Sequence, residues 1–211
     1  MQFDSPSLPI THGLFMSLVL IVAIGAQNAY VLRQGLRREH IGAVVLFCAA
    51  SDALLIGAGV FGMAQALEGR PVLAAALSAL GAVFLCGYGL KALQRARHGD
   101  SLQATGGGST ASRTAVLAQA AAFTLLNPHV YLDTVLLVGS AGAGYGGVHR
   151  LGFVAGAATA SMLWFVSLGY GARLLAPLFA RPRAWQVLES VIGVTMLLLA
   201  GLLAQRALAA V

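Results

Sequence analysis

The sequence predicts an all-α integral membrane protein with six transmembrane helices, arranged as two inverted three-helix repeats whose first and fourth helices are interrupted. Three observations carry this. Of 211 residues, 58% are hydrophobic and only 9% charged, with mean hydropathy +0.82, whereas a soluble domain carries about 25% charged residues. A span needs about 20 apolar residues, and six such stretches consume the length without leaving a soluble domain. Glycine and serine positions of the first half also recur in the second.

The first span runs from Thr11 to Leu32 and holds Gly25-Ala26-Gln27-Asn28-Ala29-Tyr30, with two adjacent amides inside an apolar segment. Asp4 stands where a signal peptide would be basic, and the run is too long for one, so it reads as a retained span. The second, Ile41 to Ala66, carries Ser51-Asp52 near its middle. The third, Val72 to Leu93, is apolar and glycine-spaced and reads as scaffold. Residues 98–113, rich in Gly, Ser and Thr, form a cytoplasmic linker between a first repeat, 1–97, and a second, 114–211.

The fourth span, Thr114 to Val138, contains Phe123-Thr-Leu-Leu-Asn-Pro-His-Val-Tyr-Leu-Asp133, and a glycine-rich turn is expected over Gly139 to Gly147. Pro128 removes a backbone donor and disfavours helix at Asn127, freeing carbonyls from the helix ladder. Such backbone is tolerated in a membrane only where protein or water satisfies it. The fifth span, Leu151 to Leu174, includes Ser161, Trp164 and Gly169; the sixth, Trp185 to Gln205, reads as plain.

Ser51 with Gly59 matches Ser161 with Gly169 at an offset of 110, and Gly81 with Gly89 matches Gly193 with Gly201 at 112. Three spans per half would set the halves in opposite orientation, as in many transporters. Cytoplasmic loops collect Lys and Arg. The first, third and fifth connections hold ten (Arg33, Arg37, Arg38; Lys91, Arg95, Arg97, Arg113; Arg173, Arg181, Arg183) against Arg70, Arg150 and Arg206 on the other side. Both termini are therefore expected on the periplasmic side. The same distribution explains the net charge of +6 by loop topology rather than by a nucleic-acid partner. Cys48 and Cys86 lack metal-ligand spacing and read as packing residues.

Polar side chains at membrane depth usually face a bundle interior or a wet cavity. A cavity lined by Gln27, Asn28, Asp52, Asn127 and Asp133 would carry negative charge and amides that both donate and accept. It would demand a cation or protons. An ammonium or guanidinium would pair with Asp52 or Asp133, which could exchange it for a proton. A substrate carboxylate could rest on backbone amides just after Pro128. Structural alternatives stay open: Asp52 paired with an arginine such as Arg33, Asp133 solvated at the outer interface, Asn127 healing a proline kink, His129 as a hydrogen-bonded neighbour, Tyr131 and Trp164 merely packing. No sequence-local metal constellation or cofactor motif stands out.

Gly25 through Gly35 and Leu126-Asn-Pro-His-Val-Tyr-Leu-Asp-Thr134 resemble the two hallmark stretches of the lysine/arginine exporter family, with Ser51-Asp52 and Ser161 to Phe165 as supporting matches. The second stretch is most similar to the bacterial arginine exporter branch. The resemblance implies export of L-arginine, L-lysine and analogues such as canavanine across a bacterial inner membrane, driven by protons or membrane potential, with antiport through Asp52 and Asp133. It places substrate contacts at Gln27, Asn28, Asp52, Asn127, Pro128, Tyr131, Asp133 and Trp164. Ala26 departs from the family's proline and Leu125 from its tryptophan. Export of a neutral amino acid or an inorganic cation is the alternative within transport, and monomer and homodimer both stay open. An intramembrane enzyme would need a base beside Ser51, which the sequence does not put there.

Overall fold

A computed structural model of the chain describes residues 7–22, 25–63, 71–97, 111–127 and 130–209. Within them every regular element is helical. Apolar residues on all sides of a helix suit burial in protein or lipid, and three helices are long and apolar enough to cross a membrane: Ile41–Gly62, Val148–Phe179 and Pro182–Gln205. Leu54, Val83 and Leu174 project outward at 74%, 75% and 85% exposure; a hydrocarbon surround accepts such side chains without cost.

Helices α1 (Ser7–Ile21) and α2 (Ala26–Arg37) meet at 81° and make a fourth crossing if taken as one bent span. The bend forms with Ala26, not proline, in the first turn of α2. Helix α3 (Ile41–Ala58) runs into a wide π-turn at Gly59–Met63, where Gly62 has φ 117, a value only glycine adopts without strain. Next come α4 (Pro71–Arg97) and α5 (Arg113–Leu125); the Ser112 hydroxyl caps α5 by accepting from the Ala115 N–H at 3.2 Å. The chain resumes as α6 (Tyr131–Val138), wound as a π-helix, followed by α7 (Gly139–Ala143), α8 (Val148–Phe179) and α9 (Pro182–Ala209). Pro128, His129 and residues 98–110 of the expected linker lie outside the described residues.

Small residues let these helices approach closely. Gly35 of α2 packs on Gly169 and Ala172 of α8, Gly59 packs on Val135 and Gly139, and Gly89 of α4 meets Gly193 of α9. The turn expected over Gly139 to Gly147 is therefore shortened to residues 144–147. Helix continues to Ala143, because Gly139 serves contact with Gly59 rather than chain reversal.

The sixth apolar run is not plain. Glu189 of α9 is wholly buried and bridges Arg33 at 2.7 Å and Arg95 at 2.9 Å. Arg33 thus pairs with Glu189, not with Asp52. Neither arginine is therefore a free loop charge, and without them the imbalance of Lys and Arg between the two sides is still eight to three.

Candidate functional site

Both interruptions open onto one cavity of about 230 Å³. Gln27, Asn28, Asp52, Asn127 and Asp133 all line it, together with Thr134. Sequence reasoning could not say whether the two aspartates share a space. They do.

Asp52, on the buried face of α3, accepts a hydrogen bond from the Ser161 hydroxyl of α8 at 3.2 Å. Gln27 lies beside this carboxyl group and beside Cys48, yet its buried Nε2 has no partner at hydrogen-bonding geometry. Asn28 closes the break between the first two helices. Its Nδ2 donates to the Ile21 carbonyl at 2.6 Å, and its Oδ1 accepts from Trp164 Nε1 at 3.2 Å. At the second break the Asn127 carbonyl accepts from the Val130 N–H at 3.1 Å, while the Tyr131 hydroxyl donates to the Leu125 carbonyl at 2.9 Å.

These contacts divide the expected site residues. The two aspartates, Gln27 and Asn127 present groups to the cavity; Asn28 does so while also bracing the bend. Tyr131 and Trp164 are not among the lining residues; Tyr131 satisfies a carbonyl at the second break, and Trp164 holds the Asn28 side chain. Pro128, expected here, lies outside the described residues. The sequence reading holds Ser161 through the repeat and as a supporting family match, but not as the donor to Asp52; the signal available is its serine match opposite the Ser51-Asp52 pair.

A family profile described as LysE type translocator matches residues 18–206. The chain belongs to that family. It is 42% identical over 199 residues, 94% of this chain and 97% of the relative, to a protein of Aeromonas salmonicida named "Putative amino-acid transporter YggA". A Mycobacterium bovis protein described in the same terms is 43% identical, covering 85% of this chain and 89% of its own length. No solved structure matches at a significant level.

Along α2 this LysE type translocator is tightly packed beyond the cavity. Arg33 follows Gln27 by six residues, about 9 Å along a helix. Between them the Tyr30 ring packs against Phe123 at 4.9 Å, which meets Tyr88 at 4.8 Å and Phe84 at 4.9 Å. The Tyr30 hydroxyl donates to the Val116 carbonyl at 2.8 Å, and Arg95 lies over the Tyr88 ring at 5.6 Å. Beyond the cavity lining, α2 therefore packs into an aromatic layer that adjoins the Arg33–Glu189–Arg95 ion cluster.

Proposed function

We propose that this LysE type translocator is a secondary exporter of basic amino acids, L-arginine and L-lysine with analogues such as canavanine, across a bacterial inner membrane. The observation that carries the reading is the convergence of Asp52 and Asp133 with three amide side chains on one small cavity. Two carboxylates in a low-dielectric space need a cation or protons to balance them, and a guanidinium or ammonium supplies that charge directionally. Alternation between cationic substrate and proton at the same carboxylates couples export to the proton gradient. The relatives' printed descriptions as amino-acid transporters support the substrate class.

In this reading the protein is six spans in two inverted repeats, with both termini periplasmic. Reciprocal packing supports it: Gly35, just past the first expected span, packs on Gly169 of the fifth, and Gly139, just past the fourth, packs on Gly59 of the second. Gly59 and Gly169 are the pair that the sequence offset matches. Everted membrane vesicles test the function: labelled arginine and lysine should accumulate upon energisation, each inhibiting the other. Accumulation of threonine or an inorganic cation instead would select the alternative substrate class.

A further inference from the structure

A second space, a groove of about 590 Å³, opens between the C-terminal end of α4 and the N-terminal end of α9. The two helices run antiparallel, since Gly81 lies against Leu203 while Gly89 meets Gly193, so Arg97 and Arg183 come to the same end of the bundle. Leu93 and Arg97, one turn apart, supply one wall. Arg183, Gln186, Val187, Ser190 and Val191 supply the other, at the i, i+3, i+4, i+7 and i+8 positions of a single helix face. From Arg183 to Val191, about 12 Å of helix, that wall passes from a guanidinium at the helix end to valines well inside an apolar span.

The positive charge of the groove is uncompensated. Among the described residues neither Arg97 nor Arg183 has an ion pair, and the described side-chain carboxylates are engaged elsewhere: Glu39 with Arg37, Glu189 with Arg33 and Arg95, Asp52 and Asp133 at the other cavity. Water alone would satisfy two arginines, but not the apolar half of the groove, where Val187 and Val191 stand exposed. An anionic phospholipid meets both demands. Guanidinium groups make charge-assisted hydrogen bonds to phosphate oxygens, Gln186 and Ser190 supply neutral donors, and an acyl chain covers Leu93, Val187 and Val191. Two arginines exceed the charge of one phosphate, so a head group that brings its own cation is disfavoured. We propose that this groove binds an anionic phospholipid, with Arg97 and Arg183 on its phosphate. The site is separate from the cavity of the aspartates and does not depend on what that cavity carries.

Native mass spectrometry of the purified full-length protein in detergent, titrated with phosphatidylglycerol or with phosphatidylcholine of the same acyl chains, tests this. The wild type should bind phosphatidylglycerol at least about tenfold more tightly, given about a fivefold gain from each arginine beside anionic lipid. The Arg97→Gln/Arg183→Gln double variant should lose that preference and each single variant part of it. Arg113→Gln, an exposed arginine counted on the same side, should keep it. Equal binding of the two lipids by the wild type overturns the inference, as does an undiminished preference in the double variant. A loss in Arg113→Gln as large as in the double variant also overturns it, since the preference would then belong to the whole basic end of the bundle. Displacement of phosphatidylglycerol by inorganic phosphate would make this a small-anion site and overturn the lipid occupant. Should the double variant fail to fold, the single variants decide the matter.

Discussion

Ser161 donates its hydroxyl to the Asp52 carboxylate at 3.2 Å across 109 residues of chain. The contact joins α3 to α8 at positions that the sequence offset already aligns, since Ser161 matches Ser51 beside Asp52. A carboxylate at this depth depends on its few donors, and Ser161 is one that no water need replace.

Ser161→Ala should therefore cost about 1.5–3 kcal/mol, the range for a hydrogen bond to a charged group. Reversible unfolding in mixed micelles measures it. Ser161→Thr keeps the hydroxyl and should recover part of the loss; equal behaviour of the two variants would remove the hydrogen bond from the account.

Glu189 neutralises two arginines from within the bundle. Glu189→Gln leaves Arg33 buried without a counter-charge, a change worth about 3–5 kcal/mol, while the part-buried Arg95 contributes less. The thermal midpoint should fall steeply. Adding Arg33→Met should restore part of it, because the double variant no longer buries an uncompensated charge at position 33.

Glycine positions separate close packing from helix propensity. A methyl at Gly59 would lie 2.9 Å from Val135 Cα and 3.0 Å from Gly139 Cα, whereas one at Gly57 meets nothing within 4 Å. Gly59→Ala should destabilise by about 1–3 kcal/mol through overpacking. Gly57→Ala, on the same helix, should be neutral or stabilising by up to about 1 kcal/mol. Thermal midpoints of the two variants side by side check the contrast.

The bend between the first two helices hangs on Asn28. Asn28→Ala strips the donor from the Ile21 carbonyl and the acceptor from Trp164, so it should cost more than Trp164→Phe, which removes only the indole donor of the second bond. A double-mutant cycle on the pair should return a coupling of about 0.5–1.5 kcal/mol; zero coupling would mean that the indole only packs.

The all-helical build and the cavity residues were legible because membrane burial makes each polar side chain costly, so Gln27, Asn28, Asp52, Asn127 and Asp133 stood out against apolar runs. What those groups bond to was not. Asn28 and Tyr131 spend hydrogen bonds on carbonyls that the helix breaks expose, and only coordinates say which carbonyls those are. Glu189 escaped notice because it sits near the start of the sixth apolar run, where a charge reads as interfacial. Its burial follows from Arg33 and Arg95, on segments about 156 and 94 residues away in sequence. Gly139 and Gly142 read as part of the turn that 144–147 do form, because local composition does not reveal a partner such as Gly59.

In the proposed function, Asp52 and Asp133 bind the cationic end of an exported basic amino acid. Efflux of labelled arginine, lysine and threonine from preloaded cells, with wild type, Asp52→Asn and Asp133→Asn at matched membrane levels, tests it most directly. Arginine and lysine efflux should fall by at least about tenfold in either variant, as when one partner of a buried charge pair is removed, with threonine not exported by the wild type. Undiminished arginine efflux in both variants, or threonine leaving as fast as arginine, would contradict it.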